Sequence, residues 1–298
     1  MHKFLRSIGF SGCRNDQDVE ELLQKIIADP TEQRKIQLDE STNLCEIRGE
    51  AAPGMGIAIY GKMDADGNFH REFYYPYLTS GDLSSEADCS IQRHTEKETY
   101  AGLLDEYRVG ISLIFFLENL FEYRQLSRDQ RFYKIAGVNL TGLSLSGKVL
   151  LPLRKTAKQI ELSKVAARDR SALIEAAKNG DEDAMETLTI EDIDLYSKIS
   201  RRMIKEDVYS IVETCFMPCG IECDQYSVIG EIKNVAVREN SMTGEEVYDL
   251  TIESSDVLFH VGIAKADLLG EPEPGRRFKG QIWMQGVVKF DLSFRELQ

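Results

Sequence analysis

The chain has 298 residues, with 36 Lys plus Arg against 50 Asp plus Glu and a net charge of −14 at pH 7. At 42% hydrophobic and 29% charged, with 7 Pro and 22 Gly, the composition is globular and excludes a disordered or fibrous chain. The length sets a prior of about two domains, and the acidity argues against general affinity for phosphate backbones, which needs clustered cations.

Near the N-terminus Arg6 interrupts the one apolar stretch, so no signal-peptide core is read there. The six cysteines are therefore expected as reduced thiols and the protein as cytoplasmic. Val19, Leu22, Leu23, Ile26 and Ile27 then recur at helical spacing, which predicts a helix over 16–28 with Asn15 or Asp16 as its cap. From about residue 44 the period becomes two. Ile57, Ile59 and Met63 alternate with Ala58, Tyr60 and Lys62, Asp66 and Gly67 mark a hairpin, and Phe69, Phe73, Tyr75 and Tyr77 line the return strand. Further strands are predicted at 89–95, 107–117, 138–145 and 148–151. The apolar run 111–121 is broken by Ser112, Glu118 and Asn119 and falls short of the roughly 20 residues that span a bilayer. This region reads as an antiparallel sheet with the first helix packed on one face.

The texture changes at Arg154. A charged, aromatic-poor stretch predicts three helices, at 155–178, 181–187 and 190–205, with Asn179 and Gly180 as a stop. Thr189 and Asp192 have capping-box spacing, and Ile193, Tyr196, Ile199 and Met203 repeat every few residues. These helices are expected to pack on one another and on the neighbouring sheet. Strands return at about 208. Val228, Gly230 and Ile232 alternate, but Val235 and Val237 take the opposite parity, which predicts a bulge near Lys233 or Asn234. Tyr248, Leu250 and Ile252, then Val257, Phe259, Val261 and Ile263, give two more strands, and a last long strand starts at Arg276. The expected fold is α+β: an N-terminal α+β domain over 1–153, a helical segment over 154–207, and a small C-terminal β-barrel, OB-like or SH3-like, over 208–298. A fragment from about Gly220 is expected to fold alone.

The stretches 206–214, 219–226, 267–272 and 275–286 resemble a clostridial (Firmicutes) protein family known only as a domain of unknown function. The likeness covers the whole chain and is densest after Gly180. It implies a bacterial cytoplasmic protein and assigns no catalytic residue.

Several motifs stop short of chemistry. Gly142, Gly147 and Lys148 have P-loop spacing, but Val149 stands where a hydroxyl must hold Mg²⁺ and no helix follows, so a hairpin turn is expected. Gly142 and Ser144 begin a nucleophile elbow that Ser146 breaks. Asp64, Asp66 and Gly67 lack the remaining calcium-loop ligands. Cys215, Cys219 and Cys223 are spaced too widely for a zinc ribbon, so no metal and no cofactor are expected.

The last strand is the richest. One parity, with Phe278, Ile282, Met284, Val288 and Phe290, is apolar; the other carries Arg277, Lys279, Gln281, Trp283, Gln285 and Lys289. A tryptophan flanked by cations suits stacking of an anionic ligand, and Arg277, Lys279, Gln281, Trp283 and Gln285 are the candidate binding residues. The reading favoured over a binding surface is that Trp283 packs beneath the helices or the N-terminal sheet, because the acidic field steers polyanions away. The leading expectation is a non-enzymatic binding or regulatory protein acting through the barrel on a protein or a small anionic ligand, with no membrane partner. One alternative is a nucleic-acid accessory protein using the Arg277, Lys279 and Trp283 face, which the net charge disfavours. The other is an enzyme with a pocket between the two β regions, using Glu222 or Asp224 beside His94 or His260.

Overall fold

A computed structural model describes residues 2–37, 42–64, 66–93, 99–153 and 157–293, except the side chains of 157–164, 167 and 171. A 3-10 turn, Lys3–Ile8, leads to helix α1, Asp16–Ala28. Asn15 caps α1 in a reciprocal box with Asp18, and Val19, Leu23 and Ile26 form its buried face. A first sheet follows as an antiparallel meander of β1 (Glu32–Gln37), β2 (Asn43–Ala52), β3 (Met55–Met63) and β4 (Phe69–Leu78). The Asp64 carboxylate accepts from the amides of Asp66 and Asn68, which makes the β3–β4 connection a polar turn.

The second sheet starts with β5 (Cys89–Arg93), β6 (Tyr100–Glu106) and β7 (Ile111–Leu117). Helix α2 (Leu120–Arg128) and the 17-residue β8 (Lys134–Leu150) follow. After the helices α3 (Ala157–Lys178), α4 (Glu182–Met203) and α5 (Val208–Ile211) come β9 (Cys215–Pro218), β10 (Gln225–Glu239), β11 (Glu246–Ser254), β12 (Val257–Ala264), β13 (Leu268–Leu269) and β14 (Arg277–Asp291). Ten strands run in the order β13-β8-β12-β11-β10-β14-β7-β6-β5, with β9 beside β10 and a further pairing of β8 with β14. The bulge expected near Lys233 lies between Ile232 and Asn234.

The small C-terminal barrel, OB-like or SH3-like, does not form, and the expectation is corrected. The strands of 208–298 do not close on themselves. β8, from the other side of the helices, pairs in parallel with β12, from His260↔Thr141 to Ile263↔Ser144, and antiparallel with β14. β14 then continues to β7 through Gln285↔Phe116. The physical reason is strand length. β8 and β14 have 17 and 15 residues against a usual five or six, so each reaches past the neighbours a small barrel would supply. The strands predicted separately at 138–145 and 148–151 are one strand, and the sheet expected over 44–153 is divided between two.

One core joins the sheets. Phe4, Leu5 and Ile8 from the first turn pack among Leu44, Ile57, Leu143, Val261 and Trp283. Phe115 fits because two neighbours lack side chains: a Cβ on Gly102 would sit 2.0 Å from its ring, and one on Gly286 2.5 Å.

The helices are arranged otherwise. α3 packs on α4 and α4 on α5, without comparable contact to any strand. Gly180, at φ +90, turns the chain, and Asp181 caps α4 through the amide of Ala184. The break expected between 187 and 190 is absent. Thr187 and Thr189 bond back to the carbonyls of Asp183 and Met185 at 2.8 Å each, so α4 continues through them.

Candidate functional site

The polar side of β14 acts as a spine to which other segments are tied. Arg277 is 5% exposed and donates from Nε to the Leu151 carbonyl, from Nη1 to Val212 and from Nη2 to Tyr209, at 3.1, 2.7 and 2.7 Å. Leu151 lies just before the helices, and Tyr209 and Val212 lie at their end. One guanidinium therefore closes the base of the helical arm, and its rigid fork suits three separate carbonyls. Burial lowers its pKa, with Glu213 opposing. Lys279 bonds the Tyr209 hydroxyl and lies 4.3 Å from that ring's centroid. Gln281 is exposed, and its carbonyl accepts from Ser144 Oγ.

Trp283 and Gln285 serve the other end of the spine. Trp283 is 6% exposed, stacks on Phe4 at 5.4 Å and 21°, and donates Nε1–H to Asp224 at 2.8 Å. His2 and Phe116 complete its surround. Gln285, fully buried, donates to the Pro76 carbonyl of β4 at 2.7 Å. The five side chains share one strand without converging on one cavity. The barrel that was to present them is replaced by the mixed sheet, so a role acting through a barrel is withdrawn. Arg277 and Lys279, the cations of the nucleic-acid alternative, are engaged within the chain.

The residues proposed for an enzyme pocket are separated as well. Glu222 and Asp224 line a shallow cavity of roughly 590 Å³ with Lys3, Phe4 and Trp283. His2 joins them there, but burial and the nearby Lys3 bring its pKa down to about 4, which keeps it neutral. His260 is elsewhere, between Asp249 on Nδ1 and Asp82 on Nε2, both at 2.8 Å. Burial opposes its protonation, but the two carboxylates raise its pKa and favour the charged form. His94 lies outside the described residues. Gly142, Ser144 and Lys148 are inside β8, so the stretch is neither a phosphate loop, an elbow nor a hairpin turn. Among the described residues no three His, Cys, Asp or Glu side chains are grouped to hold a metal, and no helix is long and apolar enough to cross a membrane.

Two features carry more signal than these motifs. The first is an acidic group inside the junction of the sheets. Glu118 is 1% exposed, and neither of its carboxyl oxygens has a hydrogen-bond partner among the described residues. Burial pushes its pKa up to about 7, against the pull of Arg48 and with the help of Glu46. Glu46 itself accepts from Tyr60 and Arg48 at 2.6 and 2.9 Å. The interruption of the 111–121 run by Glu118 was visible in sequence, but its burial depends on pairing that sequence does not display.

The second is the helical arm. On α4, Ala184 is buried and Leu188 half-buried, whereas Ile193 is 61% and Tyr196 75% exposed; Met185, Ile190 and Met203 are exposed too, as are Ile204 just past the helix end and Leu195 on the opposite side. Single exposed apolar residues are ordinary, but a row at helical spacing along one helix is not. The sequence shows the repeat at Ile193, Tyr196 and Met203. The prediction that it packs on the sheet is corrected, because among the described residues no strand contacts α4 as closely as α3 and α5 do.

A family model described as "Domain of unknown function, E. rectale Gene description (DUF3881)" matches residues 5–286. No curated protein and no solved structure matches the chain.

Proposed function

We propose that this chain, which belongs to that DUF3881 family, is a cytoplasmic protein-interaction protein whose two-sheet body holds out a helical arm for docking. The exposed apolar row on α4 carries this reading. Surfaces of this kind mark protein contacts, since water gains when they are covered. Two observations support it. Arg277, Lys279 and Tyr209 fix the base of the arm, so the face is held at a defined place. All six cysteines are unpaired, as expected in a reducing compartment.

A photo-crosslinking amino acid at Tyr196, expressed in the native host, tests this. Adducts are expected from Tyr196 and not from the same label at Glu239, an exposed position on β10. Equal yields at both positions would remove the docking role.

A further inference from the structure

We infer that the occupant of the α4 face is a second copy of this chain, docked antiparallel about a two-fold axis that passes near Ile193. This rests on the docking reading and names its partner.

Charge order along α4 is the observation that selects the occupant. From 181 to 194 there are seven carboxylates and no Lys or Arg; from 195 to 205 there are four cations and no carboxylate. The helix dipole favours acids in the first turn and bases in the last, but its effect fades within a turn at each end. Segregation through the middle of a 22-residue helix exceeds what the dipole requires. A parallel copy would set acids against acids along the whole acidic half. An antiparallel copy sets each acidic half against a basic half, so the surface is complementary to itself, as a two-fold interface must be.

The apolar row fits the same symmetry. With the axis near Ile193, the midpoint of α4, Ile193 meets its own counterpart, and Ile190 of one copy lies beside Tyr196 of the other. At 100° per residue, Glu186 and Arg201 lie on the same flank of the apolar row. That flank faces its own symmetry mate, so Glu186 of one copy comes beside Arg201 of the other. Neither forms an ion pair among the described residues, whereas Arg170 already holds Glu191 and Asp192 on the side toward α3. The helix is about 33 Å long, and two hairpins packed this way make a four-helix bundle, the usual means by which paired helices cover a second apolar face.

Sedimentation velocity of the full chain is the test, with melting curves to confirm folding. The wild-type chain is expected to dimerise reversibly. Ile193→Glu should raise the dissociation constant about a hundredfold or more, as for a central apolar contact, with the melting temperature of the body unchanged. Glu186→Arg and Arg201→Glu should each weaken the dimer by roughly three- to tenfold through like-charge contacts, and together should restore it. Rescue by the double swap requires the antiparallel register. A monomeric wild-type chain, a dimer indifferent to Ile193→Glu, or a double swap no better than the single ones would overturn the proposal. Crosslinking from Tyr196 separates the two readings. A monomer that still crosslinks to another host protein loses only the second copy; a monomer without adducts loses the docking role as well.

Discussion

The two sheets and the arm treat the same kinds of residue in opposite ways. In the sheets, Phe115 and Phe259 are wholly covered, and Tyr226, nearly so, bonds both the amide and the carbonyl of Ile114. On α4, Ile193 and Tyr196 stand in solvent. The sheets gain cover from distant parts of the chain: residues 4 and 288 share one core. The arm draws only on its own hairpin, and two helices cannot enclose both faces of either one. Burial within the chain marks what builds the body, and the exposed row on α4 is what the proposed partner would cover.

The largest effect expected from this contrast concerns 208–298 in isolation. Its turns and alternating strands suggest independent folding, but β8 lies between β12 and β14 and comes from residues 134–150. Without β8, both neighbours become long open edges, and Val138, Leu140 and Leu143 leave the core. The fragment is expected to show the poor proton NMR dispersion of an unfolded chain. Native-like dispersion would mean that the C-terminal strands are a body of their own.

Arg277 is where body and arm meet, and its truncation should be felt at that junction. Arg277→Met removes three hydrogen bonds to the Leu151, Tyr209 and Val212 carbonyls and should cost about 3 kcal/mol. Lys should not rescue, because an ammonium group lacks the planar fork that reaches three separated acceptors. Hydrogen exchange should rise at 207–212 and not in β2 or β3. A uniform rise would instead make Arg277 a general core residue.

Local features were legible in sequence where a local cause decides them. The cap at Asn15 or Asp16, which the structure gives to Asn15, the bulge beside Lys233 and the stop at Gly180 each follow from a few adjacent residues, whereas the strand expected from 107 begins only at Ile111. What could not be read was the partner of a long strand. Alternation along β8 shows two faces but not that its edges meet β12 and β14. The same gap misplaced the site. Arg277, Lys279 and Trp283 stand out as a polar parity, but whether such a face meets water or the chain depends on Tyr209, Asp224 and Phe4, which are remote in sequence. On α4 the error ran the other way, because helical periodicity shows an apolar face and not what covers it.

Glu118 sharpens the contrast from inside the body. Its carboxyl is held at about 7 in the folded chain against an ordinary 4.5, so the folded state binds the proton more tightly than the unfolded state does. Stability linked to this group is therefore full below about pH 4.5 and falls as pH rises toward 7, a loss on the order of a few kcal/mol. Glu118→Gln removes the ionisation. The variant is expected to gain on the wild type in urea midpoint at about pH 8 and to show a flatter stability profile between about pH 5 and pH 8. An unchanged profile would mean that Glu118 stays ionised with Arg48 as its partner throughout.

The smallest expected effect on the body is from loss of the arm itself. Arg277 holds both Leu151 and Tyr209, so the two ends of the arm lie on one side chain and a short Gly-Ser linker can replace 155–206. No strand loses a comparable packing partner. The body's stability is expected to change by less than about 0.5 kcal/mol. Trp283, the only tryptophan, reports on this directly. Its ring lies against Phe4, His2 and Phe116, all outside the arm, so its emission should stay blue-shifted and resistant to acrylamide. Dimerisation, by contrast, should be abolished in the same variant. A red shift with a lower melting temperature would show that the arm also covers the body, and the exposed face of α4 would then have to be sought on the body side. An unshifted spectrum with an intact dimer would place the self-association on the sheets.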